Sequence, residues 1–116
     1  MTQTVLITGA AGNIGSKLRP YFIGLGWSLR LLDVDPRSDT AIIPADLSIW
    51  NDDWVAQFAG VDTVVHLAGN PSPRANWASV QRLNIDMTQN VYEAAVRNGV
   101  GRLIFASSNW VMAGYR

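Results

Sequence analysis

A chain of 116 residues with no net charge and no cysteine has room for one domain, 1–116, and excludes several functions at once. No basic stripe points to nucleic acid, no thiolate is there to hold a metal or form a disulfide, and no apolar run reaches the length of a membrane span. Nearly half the residues are apolar, enough for a core, and Met1-Thr2-Gln3 has no charged-then-apolar leader, which reads as a cytoplasmic protein.

Thr4 to Ile7 is a short apolar run that predicts a strand. It leads directly into Thr8-Gly9-Ala10-Ala11-Gly12-Asn13-Ile14-Gly15. The spacing of Ile14, Leu18, Phe22 and Leu25 predicts a helix from Asn13 to Leu25, kinked rather than stopped at Pro20 and closed by Gly24 and Gly26. Trp27 to Asp33 reads as a second strand and Pro36 with Ser38 as a turn. Ala41 to Ala45 reads as a third strand, placed near an edge by Pro44. A short helix follows from Asp52 to Phe58. Val61 to Ala68 is a near-continuous apolar run, as a strand covered on both faces requires. Gly69 to Pro73 is a loop, and a long helix runs from Trp77 to Arg97, closing at Asn98-Gly99. Leu103 to Ser107 is the fifth strand, and Ser108 to Arg116 reads as irregular. Strands alternating with helices predict an α/β fold, a Rossmann-type doubly wound parallel sheet of about five strands.

The glycine turn sits between a strand and a helix, as a nucleotide fingerprint requires. Gly9 permits the turn, Gly12 lets backbone approach a ligand, and Gly15 lets the helix pack on the strand. The first N–H groups of the helix and its dipole favour a diphosphate. The spacing is G-x-x-G-x-x-G rather than G-x-G-x-x-G, and the competing reading is an ordinary glycine-rich β–α turn. Asp33, at the end of the second strand, is placed to accept from ribose hydroxyls and to repel a 2′-phosphate, so NAD is expected over NADP. Asp35 is a substitute for it, and Arg30 and Arg37 keep NADP as the minority case. Asp46-Leu47 follows the third strand, where a carboxylate accepts from an adenine amine and a leucine covers the ring; an acid at a helix start explains Asp46 equally well. His66, the sole histidine, reads as a hydrogen-bonded core residue, and no metal site is expected. Asn84 shares a helical face with Val80, Met87 and Val91; it either ties the helix to nearby backbone or orders polar groups at a site. Ser107-Ser108-Asn109 ends the fifth strand, at the side of the sheet where ligands bind, although such residues also favour turns.

Together these residues resemble the extended short-chain dehydrogenase/reductase superfamily, the NAD-dependent epimerase/dehydratase family. T-G-A-A-G-N-I-G matches its cofactor signature, which assigns Gly9, Gly12, Asn13, Ile14 and Gly15 to NAD. L-L-D-V-D matches its second-strand acid and A-D-L its adenine contact. H-L-A-G matches the strand end that packs on the cofactor, implying Leu67, Ala68 and Gly69. N-I-D-M-T matches the helix-asparagine motif through Asn84, with Met87 where glycine is usual. F-A-S-S-N-W-V matches the catalytic-serine strand, which makes Ser108 the active-site serine. A-S-S-N-x-V and the L-R-P after the turn are most similar to uronate dehydrogenases, which oxidise the anomeric carbon of a hexuronate with NAD. There the S-S-N segment, here Ser107, Ser108 and Asn109, contacts substrate, and Trp110 stands where histidine is usual; Ser72 and Arg74, on the loop after the fourth strand, are candidate sugar contacts.

The family's proton-transfer pair, Y-x-x-x-K, does not occur: Tyr115 is followed only by Arg116, and the sole lysine is Lys17. The chain is therefore expected to be the N-terminal part of such an enzyme, inactive by itself, its parent an NAD-dependent oxidoreductase acting on a sugar or sugar acid. The alternatives are a nucleotide-sugar epimerase or dehydratase fragment and a non-catalytic dinucleotide-binding remnant. The expected partner is a small sugar, with a homo-oligomer left open and neither nucleic acid nor membrane.

Overall fold

Val5, Leu6 and Ile7 are all buried, and so are Val64 and Val65, a pattern that only a sheet covered on both faces allows. The structure, a computed structural model, describes residues 3–68 and 85–106. Five strands, β1 (Thr4–Thr8), β2 (Ser28–Asp33), β3 (Ile42–Pro44), β4 (Thr63–His66) and β5 (Arg102–Phe105), form one parallel sheet in the order β3-β2-β1-β4-β5. The helices are α1 (Asn13–Gly24), α2 (Asp52–Val55), which runs on into a 3-10 turn at Ala56–Phe58, and α3 (Met87–Arg97).

Side chains alternate across the sheet, so its two faces build two cores. Val5, Ile7, Leu31, Ile42 and Val65 form one, against which Leu18 and Phe22 of α1 pack. Leu6, Leu32 and Val64 form the other, with Trp54 and Phe58 and with Val91, Ala94 and Ala95 of α3. The β1–α1–β2 crossover thus lies on one face and β4–α3–β5 on the other. The winding reverses between β1 and β4, which opens a crevice at their carboxyl ends.

Several element boundaries differ from those the sequence predicts. Helix α1 runs through Pro20 to Gly24, and it closes at Gly26. Gly26 has φ 75°, donates to Ile23 O at 2.9 Å and is followed by Trp27 N donating to Phe22 O at 3.2 Å. That pair of bonds needs a left-handed residue at Gly26. Ile14 and Leu25, counted on the buried stripe, are exposed; Leu18 and Phe22 alone carry it, and Phe22 stacks on Trp27 with ring centroids 5.4 Å apart. The third strand is an edge strand, as Pro44 implies. Asn51, whose side chain accepts from Asp53 N, caps α2. Of the long helix, the described part begins with a π turn at 85–86 and continues as α3. At the other edge, Ile104 and Phe105 of β5 are about half exposed. Among the described residues no helix is long and apolar enough to cross a membrane.

Candidate functional site

A cleft of about 490 Å³ lies over the point where the winding reverses. That volume falls in the range that takes a small molecule or cofactor. Every strand contributes at its carboxyl end. Gly9, Gly12, Asn13, Ile14 and Gly15 come from the β1–α1 turn, and Asp33, Val34 and Arg37 follow β2. Ala45 and Leu47 follow β3, Leu67 and Ala68 follow β4, and Ala106 follows β5; Met87 comes from the start of α3.

The three glycines of the turn have different jobs. Gly9 has φ 67°, and a Cβ on it would stand 2.8 Å from Ala68 N and 2.9 Å from the Leu67 carbonyl carbon. A Cβ on Gly15 would stand 2.6 Å from Gly9 O. Both are therefore required by the chain itself. Gly12 is different: among the described residues its Cβ would meet only Gly9 O, at 3.2 Å, and Gly12 lines the cleft. Helix α1 starts at Asn13 with no acidic residue in its first turn and no side chain capping it. Its first N–H groups and the positive end of its dipole are left for an anion at the cleft.

Asp33 is half-buried and held at both oxygens. Oδ2 accepts from Ala11 N at 2.9 Å and Oδ1 from Asp35 N at 3.1 Å. The carboxylate is thus tied to the glycine turn and faces the cleft. Asp35 is exposed, accepts from Arg37 N, and does not line the cleft. Of the two arginines kept for a phosphate, Arg30 is committed elsewhere, donating to Gln57 O at 2.6 Å and to Ala59 O. Arg37 does line the cleft, from a left-handed backbone with φ 53°.

Asp46 is exposed, and its Oδ1 accepts from Ser48 N and Oγ. Its neighbours Ala45 and Leu47 line the cleft. It does not start α2 either, since Asn51 caps that helix. Leu47 is 2% exposed, and its carbonyl accepts from Asn90 Nδ2 at 2.9 Å.

His66 is buried at the end of β4. Burial pushes its imidazole down to about 4, so the ring is neutral at neutral pH. Nδ1 lies 2.7 Å from Thr8 Oγ1, and Nε2 lies 3.1 Å from Thr88 Oγ1 on α3. Thr8 Oγ1 also accepts from Leu67 N at 3.0 Å and Ala68 N at 3.1 Å.

Gly69, Ser72, Asn84, Ser107, Ser108 and Asn109 lie outside the described residues. The structure brings together Gly9, Gly12, Asn13, Ile14, Gly15, Asp33, Leu47, Leu67 and Ala68, and leaves Asp46 outside the lining. It adds Val34, Arg37, Ala45, Met87 and Ala106 to the walls and Thr8 and Asn90 behind them. Val34 and Ala45 were legible as immediate neighbours of strand-end residues. Met87 carried a signal too, as a bulky residue where the motif usually has glycine. Asn90 and Thr8 had none, because their partners are distant in sequence.

Residues 5–114 match the profile of the NAD dependent epimerase/dehydratase family. The chain is 42% identical to an NAD-dependent glucose-6-phosphate dehydrogenase of Haloferax volcanii, an alignment covering 99% of this chain and 47% of that one. It is 38% identical to a uronate dehydrogenase of Pseudomonas putida, over 97% of this chain and 43% of that one. Among solved structures, a mutant uronate dehydrogenase of Agrobacterium tumefaciens complexed with NAD superposes with a TM-score of 0.80 at 34% identity, over 94% of this chain and 42% of that one. The chain spans less than half the length of the curated relatives it matches.

Proposed function

The chain belongs to the NAD-dependent epimerase/dehydratase family, and from that premise we propose that it forms the cofactor-binding portion of an NAD-dependent oxidoreductase acting on a sugar or sugar acid. The observation that carries this reading is Asp33, anchored by Ala11 N and Asp35 N at the edge of the cleft. A carboxylate so fixed is placed to accept from the two ribose hydroxyls and to oppose a 2′-phosphate. The described residues fit the adenosine and diphosphate of the dinucleotide. The glycine turn and the N-terminus of α1 take the diphosphate, while Val34, Ala45 and Leu47 give the adenine an apolar slot. Leu67 and Ala68 floor the nicotinamide half, and the family motifs assign Gly69 and Asn84 to the cofactor as well. NAD supplies a hydride acceptor there. Ser108 holds the substrate oxygen, and Ser72, Ser107 and Asn109 contact the sugar. Ser108 does not take the proton, since a serine hydroxyl needs its own activator.

A hexuronate is the first substrate to test, on the S-S-N segment and the likeness to uronate dehydrogenases. A phosphorylated aldose is the second, on the 42% identity to the glucose-6-phosphate enzyme. The protein is titrated with NAD and NADP by calorimetry, and the chain extended through the family's Y-x-x-x-K pair is assayed with galacturonate, glucuronate and glucose 6-phosphate while NADH absorbance is followed. NAD is expected to bind at least about tenfold tighter than NADP, because an unscreened carboxylate–phosphate repulsion of a few ångströms is worth more than 1.4 kcal/mol. Asp33→Asn keeps an acceptor for Ala11 N but loses the charge, and is expected to lose most of that preference. Equal affinities in the wild type overturn the NAD assignment. Turnover of glucose 6-phosphate alone moves the substrate to the phosphosugar.

A further inference from the structure

Thr8 and His66 are the two polar side chains in the fully buried part of the described core, and neither lines the cleft. The hydrogen bonds at Thr8 favour one state of both. A hydroxyl oxygen has two lone pairs and one hydrogen. Thr8 Oγ1 accepts from Ala68 N and from Leu67 N, which it shares with Thr8 O at 3.2 Å, and the arrangement that satisfies every group sends its hydrogen to His66 Nδ1. The neutral ring then carries its own proton on Nε2, which donates to Thr88 Oγ1. In this arrangement donation runs from the strand-end amides through Thr8 and His66 to the acceptor on α3. The packing around it has no slack, since the Leu67–Ala68 backbone already lies within the reach of a Cβ on Gly9.

We infer that Thr8, His66 and Thr88 are positioning residues for the dinucleotide, a relay that locks the Leu67–Ala68 floor of the cleft to β1 and to the first turn of α3. Both ends of the relay touch residues that shape the site. Thr8 holds the two floor amides directly. Thr88 stands beside Met87, which lines the cleft, and two residues before Asn90, which holds the Leu47 carbonyl. Losing Thr88 Oγ1 leaves a buried N–H without an acceptor and frees the ring to turn, and the floor then follows Thr8. The relay rests on the reading of the cleft as an NAD site.

The test uses the protein labelled with 15N in histidine and a series at position 88. The His66 signal is assigned by its disappearance in His66→Gln, and the ring nitrogen shifts report which nitrogen is protonated. The expected result is a proton on Nε2 at neutral pH. Thr88→Val is expected to weaken NAD binding by about three- to tenfold, the scale of one hydrogen bond, although Thr88 is not among the described residues lining the cleft. Thr88→Ser is expected to restore wild-type affinity. A merely structural role would lower the melting temperature of Thr88→Val and leave the affinity of the folded protein unchanged. A proton on Nδ1, or unchanged NAD affinity in Thr88→Val, overturns the relay. If the wild type binds NAD and Thr88→Val binds it equally well, the relay alone falls. If the wild type binds no NAD, the proposed function falls and takes the relay's ligand with it.

Discussion

Alanine at position 15 is expected to cost about 3 kcal/mol of stability, the upper range for overpacking a tight site. It should lower the melting temperature by roughly 10 °C. The added methyl would stand 2.6 Å from Gly9 O, 2.9 Å from Ala10 Cα and 3.0 Å from Ala10 O. All three are backbone atoms, so no side-chain rotation relieves the contact. The turn or α1 must move instead, and the turn is itself pinned. Gly12 N donates to Gly9 O at 3.0 Å, Ala10 N to Leu32 O at 3.2 Å and Ala11 N to Asp33. Displacing it therefore misplaces Asp33 and the start of α1 together, and NAD affinity is expected to fall at least about tenfold in whatever fraction folds. Gly24→Ala, at the far end of the same helix, is the control. A Cβ there meets nothing within 4 Å among the described residues, so stability is expected to stay level or rise by about 0.5 kcal/mol. Urea denaturation of both variants measures the difference. Equal midpoints would show that the close approach at Gly15 has been misjudged.

What was legible in the sequence is what is encoded locally. The glycine turn, the acid closing β2 and the apolar run of β4 each announce themselves within a few residues, and the strand–helix alternation leaves few topologies to choose from. The five-stranded parallel sheet follows, and so does the cleft at the strand ends. What was not legible depends on partners far along the chain. Asp46 reads as a cofactor contact or a helix start, but Ser48 takes its Oδ1 for a turn of its own. Arg30 reads as a free cation, but two carbonyls near the end of the 3-10 turn use it. Ile14 fits the helical stripe by spacing, yet in the first turn of α1 it lines the cleft and stays exposed there. His66 was recognisable as a core residue; its bonds to Thr8 and Thr88 span separations of 58 and 22 residues, and no local pattern signals them.

Valine at position 12 is expected to do the reverse of alanine at position 15: to leave the fold nearly intact and remove the ligand. Gly12 has φ −77° and ψ 179°, an extended backbone that a β-branched residue adopts readily. Its Cβ would meet Gly9 O at 3.2 Å, a contact that a shift of a few tenths of an ångström relieves. The backbone bonds on either side, Gly12 N to Gly9 O and Ser16 N to Gly12 O, both at 3.0 Å, need no side chain at all. The two methyl groups of valine, however, enter the cleft that Gly12 lines, in front of the first N–H groups of α1. A diphosphate held off by that bulk loses at least two charge-assisted hydrogen bonds, each worth about 1.5–3 kcal/mol. That sum corresponds to a loss of at least about 100-fold in affinity. Calorimetry with NAD, set beside the melting temperature of the same sample, separates the two effects. A melting temperature close to wild type with no measurable NAD heat is the expected pair. Wild-type NAD affinity in Gly12→Val would mean that the diphosphate does not lie on this turn and that the glycines serve only the packing of α1 on β1.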